Sequence, residues 1–154
     1  MENINERFMQ EALKEARKAK NKLEVPVGAI IVKDDKIISR AHNLKEKKQN
    51  SIKHAEIMAI EKASKKLKNW RLLDCEMYVT LEPCPMCAGA IINSRIKKVY
   101  IGAKDEKAGA CGSKVNLLQK ELFETAVDFE VGILEEDCKK ELQDFFKLLR
   151  KIKK

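Results

Sequence analysis

The sequence predicts a layered α/β domain built around a central five-stranded sheet. Segments rich in β-branched residues alternate along the chain with segments of helical periodicity, which is the pattern of a sheet covered by helices. The chain has 154 residues and contains no internal repeat, no Pro/Gly/Ser-rich linker and no low-complexity block. We therefore expect one domain spanning residues 1–154, large enough to bury a core of its own.

The N-terminal third predicts a helix followed by a β-hairpin. Apolar residues from Asn5 to Lys20 recur at helical spacing and leave the charged residues facing water. Val27–Val32 is a continuous, mostly β-branched run, which is typical of a strand buried on both faces. Lys33–Lys36 predicts a polar turn and Ile37–Arg40 the returning strand. Leu44–Asn50 is then expected to be a polar loop.

The rest of the chain alternates between the two kinds of element. In order, the predicted elements are a helix at His54–Leu67, a strand at Met77–Thr80, a helix at Cys84–Asn93, strands at Val99–Gly102 and Val127–Val131, and a helix from Glu135 onward. The expected inner face of the second helix consists of Ile57, Ile60 and Leu67. The last helix carries an apolar stripe at Cys138, Leu142, Phe145, Leu149 and Ile152, whose spacing indicates packing against another layer.

Composition narrows the class of protein before any motif is considered. The net charge of +8 and the isoelectric point near 9.2 favour a polyanionic partner, although a lysine-rich surface that only keeps the protein soluble has the same signature. No apolar run approaches the roughly 18–20 residues needed to cross a bilayer. Residues 1–11 have no long apolar stretch and do not resemble a secretory signal, so we expect a cytoplasmic protein with reduced thiols and no membrane association.

Two short motifs carry the chemistry. His54-Ala55-Glu56 lies at the start of a predicted helix, and Pro83-Cys84-Pro85-Met86-Cys87 leads into the next one. Two thiolates and one imidazole supply three protein ligands, which leaves the fourth tetrahedral position open for water, as in catalytic zinc sites. A carboxylate two residues after the histidine is then well placed to carry protons without binding the metal.

Each motif alone has another interpretation. A Cys-x-x-Cys pair can be a redox couple or two packed thiols, and a single His-x-Glu is a weak signal. In combination they form the pattern of the zinc-dependent nucleobase deaminases. His54 is favoured over His42 as the ligand because only His54 has a carboxylate on the same turn, and we expect His42 to be a loop or substrate-edge residue. The remaining cysteines are interpreted as two packing residues and one loop thiol without an assigned role: Cys75, Cys138 and Cys111.

Nearly the whole chain, from about residue 6 to residue 150, resembles the bacterial tRNA-specific adenosine deaminases. The segments that carry the resemblance are Val25–Ala29, His54–Ile60, Tyr78–Ala90, Ser94–Ile96, Gly102–Asp105, Gly109–Ser113 and Asp144–Phe146. One departure is Ser51-Ile52-Lys53, where the family commonly has Pro-Thr-Ala; Lys53 adds a cation beside the motif helix.

The resemblance implies a cytidine-deaminase-like, three-layer α/β/α fold with a mixed sheet, and one zinc ion per chain. It implies hydrolytic deamination of adenosine to inosine at the wobble position of a tRNA anticodon stem-loop, in a homodimer. Glu56 would carry the protons. The implied metal ligands are His54, Cys84 and Cys87, and the implied substrate contacts are Asn43, Val27, Asp105 and Ala55.

Two other functions stay open at this point. The first is deamination of a free base or nucleoside, such as guanine, cytosine or cytidine, because these enzymes share the zinc motifs. The second is a zinc-stabilised nucleic-acid-binding module without catalysis, which would need a fourth protein ligand. The basic segment Arg150–Lys154 bears on the choice, because its cations could hold RNA phosphates or could simply solvate the end of a helix.

Overall fold

The computed structural model describes residues 3–119, 122 and 127–153, and it contains five strands and five helices in these ranges. In chain order they are α1 (Ile4–Asn21), β1 (Gly28–Lys33), β2 (Lys36–His42), α2 (Lys45–Lys48), α3 (Ala55–Leu67), β3 (Cys75–Leu81), α4 (Pro85–Asn93), β4 (Lys98–Ala103), β5 (Asp128–Val131) and α5 (Glu135–Ile152). The predicted strands are all present, with bounds shifted by one or two residues.

The five strands form one mixed sheet in the order β2-β1-β3-β4-β5. β1 pairs with β2 and with β3 in antiparallel fashion, whereas β3, β4 and β5 run parallel to one another. Asp34 and Asp35 form the two-residue turn between β1 and β2. Both have positive φ, which is the backbone conformation that matches a tight hairpin turn to the right-handed twist of its strands. The prediction of a mixed five-stranded sheet is confirmed.

Helices cover both faces of this sheet. Alternate residues of β1 separate into two cores: Ala29 and Ile31 pack with α3 and α4, whereas Ile30 and Val32 pack with α1. Gly28 is required where α1 crosses the sheet, because a Cβ there would lie 2.0 Å from the Ala12 carbonyl oxygen. The structure therefore has the three layers expected from the resemblance.

The inner face of α3 differs from the prediction. The fully buried apolar residues are Ala55, Ala59 and Ala63, at spacings of four, whereas Ile57, Ile60 and Leu67 are only partly buried. Small side chains allow the helix axis to approach the sheet closely, and Ile60 and Leu67 pack against the same core beside them. The predicted face is therefore confirmed for Ile60 and Leu67 but not for Ile57, and its centre consists of alanines that hydrophobicity alone did not indicate.

Two further differences lie near the ends of elements. The predicted loop Leu44–Asn50 contains a single helical turn, α2, and the predicted stripe of α5 ends earlier than expected. Cys138 and Phe145 are buried, but Ile152 is 56% exposed. None of the helices in the described ranges is long and apolar enough to cross a membrane.

Candidate active site

The two sequence motifs meet where α3 and α4 begin. His54 is the N-cap residue of α3 and Cys84 is the N-cap residue of α4, with Pro85 in the first turn where its missing N–H costs nothing. Cys87 follows on the same first turn and is completely buried. Both helices thus direct the positive ends of their dipoles at this point, which favours thiolates over thiols.

The donor atoms have the spacing that a tetrahedral zinc site requires. His54 Nδ1 lies 3.7 Å from Cys84 Sγ and 3.6 Å from Cys87 Sγ, and all three atoms lie within 4.8 Å of one another. Zinc–nitrogen bonds of about 2.05 Å and zinc–sulfur bonds of about 2.3 Å at tetrahedral angles separate nitrogen from sulfur by about 3.6 Å. No fourth histidine, cysteine or carboxylate joins the group among the described residues.

The protonation of the two sulfurs also indicates a cation site. A hydrogen bond from Cys87, assisted by His54, lowers the pKa of the Cys84 thiol to about 4. The same Cys84 sulfur, together with burial, raises the pKa of Cys87 far above its usual value. In the absence of a cation, the Cys84 sulfur ionises and the Cys87 sulfur keeps its proton, because two adjacent thiolates would repel each other. A bound divalent cation offsets this repulsion and allows both sulfurs to be thiolates. The three side chains therefore fit zinc in both distance and charge.

Glu56 lies on the first turn of α3, beside this group. Its side chain is 4% exposed, and burial raises the pKa of its carboxyl group to about 7. His54, Glu56 and Cys84 line a cavity of about 560 Å³, a size in the usual range for small-molecule sites. The open side of the three-ligand group therefore faces a space that a planar base can occupy, with a proton-carrying carboxylate at its edge.

Three of the predicted substrate contacts, Val27, Asn43 and Asp105, line the same cavity, whereas Ala55 lies behind it. The Ala55 N–H donates a 2.8 Å hydrogen bond to Asn43 Oδ1, and the Asn43 N–H donates to the Val27 carbonyl oxygen. Because Oδ1 is engaged, the Asn43 side-chain NH₂ group is left to donate to an acceptor in the cavity. Ala55 thus orients Asn43 through its backbone.

A residue that the sequence analysis missed, Glu82, holds the loop that contains Asp105. The Glu82 carboxylate is 3% exposed and accepts hydrogen bonds from the N–H groups of Asp105, Cys111 and Ser113 and from the Ser113 hydroxyl. Burial opposes ionisation of Glu82, but these donors outweigh it and hold its pKa below the usual value. Gly109 has no room for a side chain, since a Cβ would lie 2.3 Å from the Glu82 carboxyl carbon. The only signal in the sequence was an acidic residue between the third strand and the Cys-x-x-Cys motif.

The C-terminal helix α5 forms part of the cavity wall, although its residues were predicted only to pack against another layer or to face solvent. Phe145, Phe146, Leu149 and Lys153 all line the cavity. Phe146 is 42% exposed and packs edge-on against Phe145. The expectation that the cations of the basic tail mostly face solvent is correct for Arg150 and Lys151, but Lys153 also reaches the cavity; residue 154 lies outside the described residues.

Five residues that were predicted to lie outside the catalytic group also have defined positions. His42 is the last residue of β2, and its ring nitrogens contact Glu15 Oε1 at 2.9 Å and Lys22 Nζ at 3.0 Å. It does not line the cavity, so its interpretation as a loop or substrate-edge residue was wrong. The Lys53 ammonium lies 3.6 Å from Glu61 Oε1, which offsets the extra cation beside the motif helix. The remaining cysteines, Cys75, Cys111 and Cys138, are buried free thiols.

Comparison with known proteins agrees with this geometry. Residues 2–103 match the family model of the cytidine and deoxycytidylate deaminase zinc-binding region. The chain is 53% identical over 150 residues to the tRNA-specific adenosine deaminase of Bacillus subtilis, covering 97% of this chain and 93% of the relative.

Solved structures lead to the same family. A structure from a study of A-to-I editing by tRNA:A34 deaminases at the wobble position of transfer RNA aligns with a TM-score of 0.84 and 41% identity, covering 88% of this chain and 99% of the other. A guanine deaminase from Bacillus subtilis aligns with a TM-score of 0.63 and 32% identity, covering 77% of this chain and 85% of the other. The chain therefore belongs to the cytidine and deoxycytidylate deaminase family and, within it, to the tRNA-specific adenosine deaminases.

Proposed function

We propose that this protein is a zinc-dependent hydrolase that converts adenosine to inosine at the wobble position of a tRNA anticodon. The observation that carries the proposal is the buried Glu56 carboxylate beside the His54, Cys84 and Cys87 donor atoms, on the wall of a cavity that can hold a base. The similarity over nearly the whole chain to a tRNA-specific adenosine deaminase supports the choice of adenosine in RNA.

His54, Cys84 and Cys87 are the proposed zinc ligands. A zinc ion bound to these three side chains would lower the pKa of its water ligand to about 7 and so would supply hydroxide at neutral pH. The reaction forms a C6–O bond to the adenine ring, breaks the bond from C6 to the amino nitrogen, and releases ammonia.

Glu56 is the proposed proton carrier for this exchange. Its carboxylate accepts a proton from the attacking water and delivers it to adenine N1. It then accepts the second proton from the hydroxyl group added at C6 and passes it to the departing amino group, which leaves as ammonia. Burial favours this role, because a carboxyl group whose pKa is raised toward neutrality can both accept and donate a proton at the working pH. The position of Glu56 on the first turn of α3, two residues after His54, keeps the carboxylate at a fixed distance from the donor group.

The other proposed substrate contacts orient the base. The Asn43 NH₂ group, whose direction is set by the Ala55 N–H, donates to an acceptor on the ring edge. Val27 supplies an apolar wall, and Asp105 faces the nucleotide from the loop that Glu82 holds. A base must be unstacked to enter this cavity, which costs less in a single-stranded anticodon loop than in a duplex.

Deamination of a free base is the competing proposal, supported by the 32% identity to a guanine deaminase. One experiment separates the two. Zinc-loaded protein is incubated with an RNA anticodon stem-loop containing adenosine, and in parallel with free adenosine, cytidine, cytosine and guanine, and products are resolved by chromatography. Inosine from the stem-loop, with at least 100-fold lower kcat/KM for every free compound, is the expected result. Faster turnover of guanine than of the stem-loop would reject the tRNA proposal.

We also propose that the protein is a homodimer and acts in the cytoplasm, as its resemblance to bacterial tRNA-specific adenosine deaminases implies. Sedimentation equilibrium tests the first statement, with an expected mass of about twice the 17.6 kDa of the chain. Fluorescence of a tagged chain in living cells tests the second, and enrichment at the cell envelope would contradict it.

A further inference from the structure

One cation in the cavity lining has no role in the proposed deamination. Lys45 and Lys153 are the two basic side chains that line the cavity within the described part of the chain. Lys153 belongs to the basic end of α5. Lys45 is the first residue of α2, two positions after the base-contacting Asn43, in the segment between β2 and α3 that we call the Lys45 loop. Lys45 is exposed, and it takes part in none of the ion pairs among the described residues.

A buried carboxylate fixes the backbone that carries Lys45. Glu24 is 1% exposed, and its two carboxylate oxygens accept hydrogen bonds from the N–H groups of Glu46 at 3.0 Å and Lys47 at 2.7 Å. The beginning of the loop is tied separately, since the Leu44 N–H donates to the Lys53 carbonyl oxygen at 3.1 Å. The loop is therefore fixed on both sides of Lys45, and only the lysine side chain must be ordered when a ligand binds.

The charges around the cavity favour an unpaired cation for ligands that carry a phosphate. Glu46 and Asp105 also line the cavity, and their carboxylates repel a phosphate that approaches the entrance. A free nucleoside has no phosphate and needs no cation there. A nucleotide within RNA brings a phosphate on each side of the ribose, and each must either be paired with a cation or remain in water.

We propose that Lys45, held in place by Glu24, binds an RNA backbone phosphate next to the nucleotide in the cavity and thereby favours RNA over free nucleosides. Glu24 is in this proposal a positioning residue, acting through the backbone of the Lys45 loop. The inference rests on the proposed RNA substrate. It adds a specificity-determining contact that none of the zinc ligands, Glu56 or Asn43 provides.

The test measures how the affinity for RNA depends on salt. Binding of a fluorescent anticodon stem-loop is measured between 50 and 200 mM KCl in a Glu56→Ala background, which prevents turnover. One lost phosphate contact on a single strand reduces the slope of log K against log salt by about 0.7. The increase in dissociation constant caused by Lys45→Gln should therefore be about 2.6-fold larger at 50 mM than at 200 mM KCl.

Lys47→Gln is the matched control. Lys47 lies on the same helical turn and is equally exposed, but its side chain does not line the cavity, and the substitution keeps the backbone N–H that binds Glu24. We expect Lys47→Gln to change the slope by less than half as much as Lys45→Gln. Equal changes in slope would mean that only the overall charge of the loop affects RNA binding. An unchanged slope in Lys45→Gln would mean that Lys45 does not contact a phosphate. Either result overturns the proposal.

A double variant tests the role of Glu24. Glu24→Gln keeps one acceptor oxygen and loses at least one of the two N–H bonds, so it should weaken RNA binding. If Glu24 acts through Lys45, adding Glu24→Gln to Lys45→Gln should leave the salt slope at the Lys45→Gln value. Further loss of slope in the double variant would reject the positioning role.

Failure of this inference differs from failure of the proposed function. If the protein with all residues intact forms no inosine in the stem-loop, the proposed function fails. If it forms inosine but Lys45→Gln binds RNA with an unchanged salt slope, only the role of Lys45 fails.

Discussion

The carboxylate of Glu15 should stabilise the fold by more than any exposed ion pair of this chain. Glu15 lies on α1, is 3% exposed, and contacts His42 Nδ1 at 2.9 Å and Lys18 Nζ at 2.7 Å. The hydrogen bond to His42 is the largest cause that lowers the pKa of Glu15 from 4.5 to about 2. A depression of this size corresponds to about 3 kcal/mol of stability at pH 7.

The pH dependence of this contribution has a definite sign. A carboxyl group whose folded-state pKa is depressed adds stability above its unfolded-state pKa, and that stability is lost as the pH falls toward the folded-state pKa. With a folded-state pKa of about 2 and an unfolded-state pKa of 4.5, nearly all of this contribution of about 3 kcal/mol remains at pH 5, and more than half of it is lost by pH 3. The loss therefore occurs below about pH 5.

Glu15→Gln measures this contribution, because glutamine keeps an oxygen that can accept from His42 but carries no charge. We expect urea denaturation, followed by circular dichroism, to show a loss of about 2–3 kcal/mol at pH 7 that shrinks by about 1 kcal/mol at pH 4. Metal loss at low pH affects variant and parent equally and cancels in the difference.

Glu11→Gln is the matched control, since Glu11 lies on the same helix with partners Lys14 and Arg40 but is 25% exposed, where such pairs contribute about 0–1 kcal/mol. Equal losses in the Glu15 and Glu11 variants would refute the reasoning.

Three further predictions concern the site. Glu56→Ala should keep its zinc and its fold but lose at least 10²–10⁴-fold in inosine formation, because it loses the proton carrier; retention of more than a tenth of the turnover would assign that role elsewhere. Cys87→Ala should lower both bound zinc, measured by elemental analysis, and the thermal midpoint, and full zinc occupancy would contradict its role as a ligand. Replacing Arg150, Lys151 and Lys153 with glutamine should lower the salt slope of stem-loop binding by up to about 2, at about 0.7 per phosphate contact. Lys153→Gln alone should account for one such contact. Parallel salt plots for variant and parent would mean that these cations only solvate the end of the helix.

The donor group could be predicted from sequence because its geometry is local. His54 and Cys84 are N-cap residues of two helices, and Cys87 follows within the same turn as Cys84. Once both helices pack on one face of the sheet with their N-termini at the same edge, the three donor atoms have little freedom to lie elsewhere. Short motifs at helix starts therefore contained most of the information about the site.

Contacts that depend on long separations could not be predicted in the same way. Glu24 binds backbone groups 22 and 23 residues away, and Glu82 binds groups 23–31 residues away. In a chain with 24 acidic residues, neither is distinguishable by type from an acid on the surface. The cavity wall formed by α5 was missed for a related reason, since an apolar stripe has the same spacing whether it packs against a sheet or borders a ligand site.

The two buried carboxylates have a common physical role at the cavity. Glu24 holds the Lys45 loop and Glu82 holds the Asp105 loop, and each carboxylate does so by accepting hydrogen bonds from backbone N–H groups. A hydrogen bond to a charged group contributes about 1.5–3 kcal/mol, so two or three of them can order a short polar loop that buries little apolar surface. Lys45 is exposed and Asp105 is only partly buried, so both side chains remain available to face the substrate. Substitutions at Lys45 or Asp105 can therefore change substrate preference while the core that holds His54, Cys84 and Cys87 stays intact.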